Sequence, residues 1–248
     1  MRSFLPAVAF VAILSTVALP HATAQVPDKF TNLQVLPKDI AKQDLVNMMR
    51  GFSFSLGARC DFCHTEKKGG EKGLDFAADD KEEKKIARGM IRMVGGINQN
   101  YLARMGKTPA PTVQCVTCHH GLTKPRTLQA VLGETIEQKD AAAAAAQYRE
   151  LRKQYYGGGQ YDFGETSLNL LTESLLAQKK FKEAVAMEEL NLEVNQPVSG
   201  WALHLAGQSH RANGETEKAR ADYQKILAAH PDDENAKKAL EELAQGKK

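Results

Sequence analysis

The four cysteines of this 248-residue chain fall into two pairs, Cys60-Asp61-Phe62-Cys63-His64 and Cys115-Val116-Thr117-Cys118-His119, and a histidine directly follows each pair. Two thiols three residues apart can form thioethers with the two vinyl groups of one haem, and the adjoining imidazole then lies beneath the iron as its proximal ligand. The spacing therefore predicts two covalently bound haem c groups, one on Cys60 and Cys63 with His64, the other on Cys115 and Cys118 with His119. Two other chemistries use paired cysteines. A zinc site of four thiolates would not need a histidine after both pairs, and the 51 residues between the pairs are long for a compact zinc ribbon. Redox-active dithiols are the second alternative, and the repeated C-x-x-C-H spacing favours haem over both.

The iron needs a sixth ligand, and the histidine inventory leaves little for it. His21 lies in an apolar leader, His64 and His119 are proximal, His204, His210 and His230 belong to a different C-terminal region, and His120 adjoins a histidine already used. Methionine is abundant where it is needed: Met48, Met49, Met90, Met93 and Met105 all lie near the two motifs. A thioether in the sixth position favours ferrous iron and raises the reduction potential relative to a second imidazole.

Helices must position these methionines. Between Asp39 and Phe54 the apolar residues Leu45, Met48, Met49 and Phe52 are spaced as one helix face, and Gly57 turns the chain into Cys60. Ile86, Met90, Met93 and Ile97 form a second stripe, on a helix ending near Tyr101, with Pro109 and Pro111 marking the return to the second motif. One Met of each pair is expected to ligate and its neighbour to pack. The mixed run from Asp79 to Lys85 reads as a solvated face opening the second helix, and Lys67 to Gly73 as a surface loop.

The runs Ser55-Leu56-Gly57-Ala58-Arg59-Cys60-Asp61-Phe62-Cys63-His64, Ile91-Arg92-Met93-Val94-Gly95-Gly96-Ile97-Asn98-Gln99-Asn100-Tyr101-Leu102 and Cys118-His119-His120-Gly121-Leu122-Thr123-Lys124-Pro125 resemble the cytochrome c subunit of photosynthetic reaction centres, over about residues 30–130. In that family each haem lies along a helix that supplies its sixth ligand, usually Met. The resemblance implies Met90 as the ligand of the second haem, with Met93 the alternate, and Met49 as that of the first, with Met48 the alternate. The chain also departs from the family. Reaction-centre members are typically tetrahaem, and the histidine that gives one of their haems a second imidazole has no counterpart in Asn100-Tyr101-Leu102-Ala103-Arg104. The resemblance thus implies a dihaem Met/His electron carrier more strongly than docking to a reaction centre.

The organisation of the chain follows. Residues 1–24 carry Arg2, an apolar run from Phe4 to Leu19 and then Ala22-Thr23-Ala24, the layout of a cleaved secretory signal. The mature protein is expected to be exported to the periplasm or beyond, with membrane association through a retained leader as the alternative. Residues 25–135 form the dihaem domain. From Gln25 to Lys139 there are 18 Lys+Arg against 13 Asp+Glu, and from Asp140 onward 14 against 17. About four haem propionates would nearly cancel the basic excess, so it does not call for nucleic acid.

Residues 140–248 are rich in Ala, Leu, Glu and Lys with helical periodicity. Phe181-Lys182-Glu183-Ala184 and Thr216-Glu217-Lys218-Ala219 repeat at a period of about 35, and Gly207, Ala219, Tyr223 and Pro231 stand where a tetratricopeptide repeat has small, small, aromatic and helix-stop residues. The earlier segment, from Glu165, is more degenerate, with Thr172 at the small position and Glu188 at the aromatic one. The fold class is all-α, a cytochrome c domain followed by TPR-like helical hairpins, with little regular sheet.

No nucleophile with a paired base, no convergent carboxylates and no nucleotide motif appears. The reading is a one-electron carrier rather than an enzyme. A dihaem peroxidase, or a scaffold with a structural haem domain, is the alternative. Its partners are redox proteins, including a membrane-bound photosynthetic or respiratory complex, reached through residues 140–248. Removal of that region is expected to leave both haems nearly unchanged.

Overall fold

The computed structural model describes residues 26–246, so the secretory signal expected over residues 1–24 lies outside the described residues. The described chain is helical with almost no sheet, and it divides into two compact units. The first comprises the described residues up to Arg50 together with Arg59–Gly106; the second comprises Gly51–Ala58 and the chain from Lys107 onward.

In the first unit, α1 (Lys42–Leu56) begins, and α2 (Cys60–Cys63) is a single turn carrying the first cysteine pair. A minimal hairpin follows, β1 (Thr65–Glu66) antiparallel to β2 (Leu74–Asp75), with Thr65 opposite Asp75 and the glycine-bearing residues 67–73 as its loop. Next comes α3 (Glu82–Gly96), whose first turn carries Glu82 and Glu83, charges that complement the positive end of the helix dipole. The helix does not stop at Gly96. It widens into a π turn over Ile97–Tyr101 and then tightens into a 3₁₀ turn over Leu102–Arg104, a local change of pitch common at functional sites.

In the second unit, α4 (Cys115–His119) carries the second cysteine pair, and seven helices follow: α5 (Leu128–Gln138), α6 (Ala141–Tyr155), α7 (Glu165–Ala177), α8 (Phe181–Val194), α9 (Gly200–Ala212), α10 (Thr216–Ala229) and α11 (Glu234–Ala244). Each of the first six packs on the next or next but one, as α5 on α6 and α7, α7 on α8 and α9, and α9 on α10, so the seven form a stacked array of hairpins. Side-chain caps start several of them. Thr127, Asp140, Ser199 and Asp233 each accept a bond from the backbone N–H three residues on, satisfying a donor the helix itself cannot.

The array begins earlier than its compositional signal. Leu128, Leu132 and Ile136 make one apolar stripe on α5, buried in a core with Tyr148, Leu168, Leu175 and Met187. A second core joins Ala219, Tyr223, Ile226, Ala236 and Leu243. Close approach between α9 and α10 depends on Gly207, where a Cβ would stand 2.7 Å from Cζ of Tyr223, so a glycine faces an aromatic ring across the hairpin.

Candidate haem-binding sites

The first site is built around a one-turn helix too short to bury anything. Cys60 is exposed and Cys63 half-buried, both free thiols, and the His64 amide closes the turn on the Cys60 carbonyl at 3.0 Å. The His64 ring packs edge-on against Phe76, 5.0 Å between centroids. Burial first, then the positive charges of Lys84 and Arg88, push its imidazolium below the usual histidine range, so the ring is held neutral, as iron ligation requires.

Beside it, in the run from Asp79 to Lys85 expected as a solvated face, Asp80, Glu82 and Lys85 are exposed, but Lys84 is drawn into a charged cluster. Lys84 donates to the carbonyls of Phe76 (3.0 Å), Ala77 (3.1 Å) and Ala78 (2.6 Å) and pairs with Asp79 at 3.1 Å. Arg88 donates to the same Asp79 carboxylate at 2.7 Å, and that bond, foremost among several, holds Asp79 well below the usual carboxylate range. Asp75 in turn accepts from the amides of Ala77 and Ala78, both at 2.9 Å. The segment from Phe76 to Asp79 is thus clamped to α3 by charge-assisted bonds. The sequence reading missed these residues, although Lys84 and Arg88, one helical turn apart and off the methionine stripe, carried a signal for a second buried face.

That clamp inverts the ordinary polarity of α3. Lys84 and Arg88 are each only 9% exposed, whereas Ile86 is 53%, Met93 50% and Met90 39% exposed. Among the described residues of this unit, Leu45 is the one hydrophobic side chain that the protein itself buries. A helix that seats Lys84 and Arg88 inside and presents Ile86, Met90 and Met93 outward fits a large apolar prosthetic group, which would complete the core. Met48 and Met49, on α1, are both half-buried.

The second site is better braced. Gln114 and Thr117 make a reciprocal capping box at the start of α4. His120 then takes a left-handed conformation (φ 47°) and Gly121 another (φ 84°), turning the chain beneath the motif. Through that turn, the His119 Nδ1 lies 2.7 Å from the Leu122 carbonyl. Since a carbonyl only accepts, Nδ1 carries the hydrogen, and the Nε2 lone pair is free for iron. His64 has no such partner: its Nδ1 is buried without a hydrogen bond.

The turn after α1 is tied to this second motif. Gly57 (φ 60°) sits so close to Gly121 that a Cβ would overlap the Gly121 carbonyl, and the Gly121 amide donates to the Ser55 carbonyl at 2.9 Å. Only glycine satisfies both the sign of φ and the approach. Beside Cys118, His119 and Leu122, a cleft of about 520 Å³ opens toward the start of α5, the α6–α7 connection and α7.

The remaining C-terminal candidates find ordinary partners. His204 faces Asp233 (3.1 Å), His210 faces Asp222 (2.7 Å), and the Trp201 indole donates to Glu173 at 3.0 Å. No helix among the described residues is long and apolar enough to cross a membrane.

Comparison with known proteins agrees with this chemistry. Cytochrome c-554 of Chloroflexus aurantiacus is 32% identical over 89 residues, which is 36% of this chain and 20% of that protein. The chain therefore spans only about a fifth of that relative. The family described as "Photosynthetic reaction centre cytochrome C subunit" matches residues 11–208, which reaches past both motifs and through α8 into α9. A match over most of the chain, on the two C-x-x-C-H turns and the helices between them, places this c-type cytochrome in the photosynthetic reaction centre cytochrome c subunit family.

Proposed function

We propose that the protein is an exported dihaem c-type cytochrome that carries single electrons. Cys60 and Cys63 hold the first haem with His64 as proximal ligand; Cys115 and Cys118 hold the second with His119. Met49 and Met90 are the proposed sixth ligands, with Met48 and Met93 as alternates. The haem supplies the one-electron chemistry. The chain orients each imidazole, covers the ring with apolar side chains and sets the local charge. The observation that carries this reading is the outward apolar face of α3, with Ile86, Met90 and Met93 exposed opposite the buried Lys84 and Arg88.

The leader over residues 1–24 supports export, where covalent haem attachment and free redox partners meet. The hairpin array resembles tetratricopeptide repeats, with Gly207 facing Tyr223 and Ala219 buried as that motif requires. Such arrays offer extended surfaces for protein partners, and the family name makes a membrane-bound photosynthetic complex the first candidate partner.

The test is mass spectrometry and redox titration of the mature protein made with haem-attachment machinery. Two covalent haems are expected. Met49→His and Met90→His should each lower one midpoint potential, because imidazole stabilises ferric iron relative to a thioether. A colourless zinc protein overturns the reading, and rapid turnover of hydrogen peroxide by the reduced protein replaces the carrier with a peroxidase.

A further inference from the structure

The cleft beside Cys118 and His119 has two kinds of wall. One is the motif and its turn, ending at Leu122; the other belongs to the helical array, with Gln160 and Tyr161 on the α6–α7 connection and Leu170 on α7. Its volume, about 520 Å³, lies within the range of cofactor pockets, roughly 300–1,000 Å³. Leu170 is 40% exposed on a helix whose neighbours Leu168 and Leu171 are buried, so α7 presents an apolar side chain to this space as well as to its own core. Gln160 is crowded against the motif's turn: a Cβ at Gly121 would stand 3.1 Å from its Nε2, and its Oε1 is buried without a partner. A shift of the α6–α7 connection would therefore press on Gly121, next to the Leu122 carbonyl that orients His119.

We propose that the helical array is part of the second haem's site: Tyr161 and Leu170 wall the haem carried on Cys115 and Cys118, and Gln160 positions the turn that sets His119. The inference rests on the proposal that this motif carries haem. It revises the expectation that the array is dispensable for both haems. It also gives the array a means of sensing and adjusting one haem, since whatever docks on α7 or the α6–α7 connection reaches the cleft wall.

Two measurements on the full mature chain test it. In hydrogen exchange, peptides over residues 159–170 should exchange at least several-fold faster in the Cys115→Ala/Cys118→Ala chain than in the unaltered protein, and should not change in the Cys60→Ala/Cys63→Ala chain. In redox titration, Leu170→Glu should lower one midpoint potential and Leu170→Lys should raise the same one, the other haem staying put. A merely structural contact would not respond with opposite signs to opposite charges. Leu170 is partly exposed, so both variants should fold even if the cysteine variants do not. Exchange that ignores loss of the second haem, or Leu170 variants that move neither potential or both equally, overturns the proposal. Absence of covalent haem on Cys115 and Cys118 by mass spectrometry removes the parent reading and this one with it, whereas two haems with indifferent Leu170 variants remove this one alone.

Discussion

The two histidines proposed as proximal ligands share a motif and differ in their surroundings. His119 gives its Nδ1 hydrogen to the Leu122 carbonyl, while the His64 Nδ1 is buried with no acceptor. A proximal imidazole hydrogen-bonded in this way is the more basic ligand, and it stabilises ferric iron. The charges act in the same sense: Lys84 and Arg88 oppose positive charge at His64 and would favour ferrous iron there. The first haem should therefore have the higher potential. Single-haem chains, Cys60→Ala/Cys63→Ala and Cys115→Ala/Cys118→Ala, allow the order to be read directly by redox titration, and the reverse order would refute the assignment. Lys84→Gln should lower the first potential and leave the second in place.

Elements carry the next constraints. α1 must end in a left-handed residue packed on Gly121, so Gly57→Ala should cost at least about 1–3 kcal/mol of stability, measured by denaturant unfolding. Within the array, α7 and α8 meet through a buried polar cluster. Asn191 donates to Asn169 (2.5 Å) and to Glu188 (3.0 Å), where the later hairpin has Gly207 against Tyr223. Burial pushes the Glu188 carboxyl up to about 7. Because the folded value lies above the ordinary one, the folded array binds more protons than the unfolded chain between about pH 4.5 and 7. Stability is thus retained below that window and lost as pH rises through it, by about 3 kcal/mol in all. Thermal unfolding between pH 4.5 and 8 should show the decline, and Glu188→Gln should flatten it.

At the scale of the molecule, the two units differ in what completes their cores. The array is sealed by its own side chains: Leu132, Ala144, Tyr148, Leu168 and Ala219 are fully or almost fully buried. The first unit buries Leu45 and two cations, and leaves its apolar helix face outward. On the proposed assignment, covalent haem would be a folding requirement for the first unit and not for the hydrophobic core of the array. A chain produced without haem attachment should retain cooperative helical unfolding from α5 to α11, with amide exchange over residues 82–104 reaching unprotected rates. Equal protection of that segment in haem-free and haem-loaded chains would contradict the account.

The candidate haem motifs were legible in the linear sequence because C-x-x-C-H is local: thioether spacing and the adjoining imidazole are set within five residues and need no tertiary partner. The helices were legible for the same reason, from the period of Leu45, Met48, Met49 and Phe52 and from the helical periodicity of the array. Burial was not legible, because it depends on residues distant in the chain. Composition read the run from Asp79 to Lys85 as a solvated face, yet three backbone carbonyls and one carboxylate converge on Lys84 and draw it inside. Periodicity alone could not show that the apolar stripe of α3 would be left facing outward. Nor could it show that α5 joins the array, or that Gln160 and Leu170, far along the chain from Cys118, stand at the same cleft. Only the packing of hairpins over such separations decides which side chains share a site.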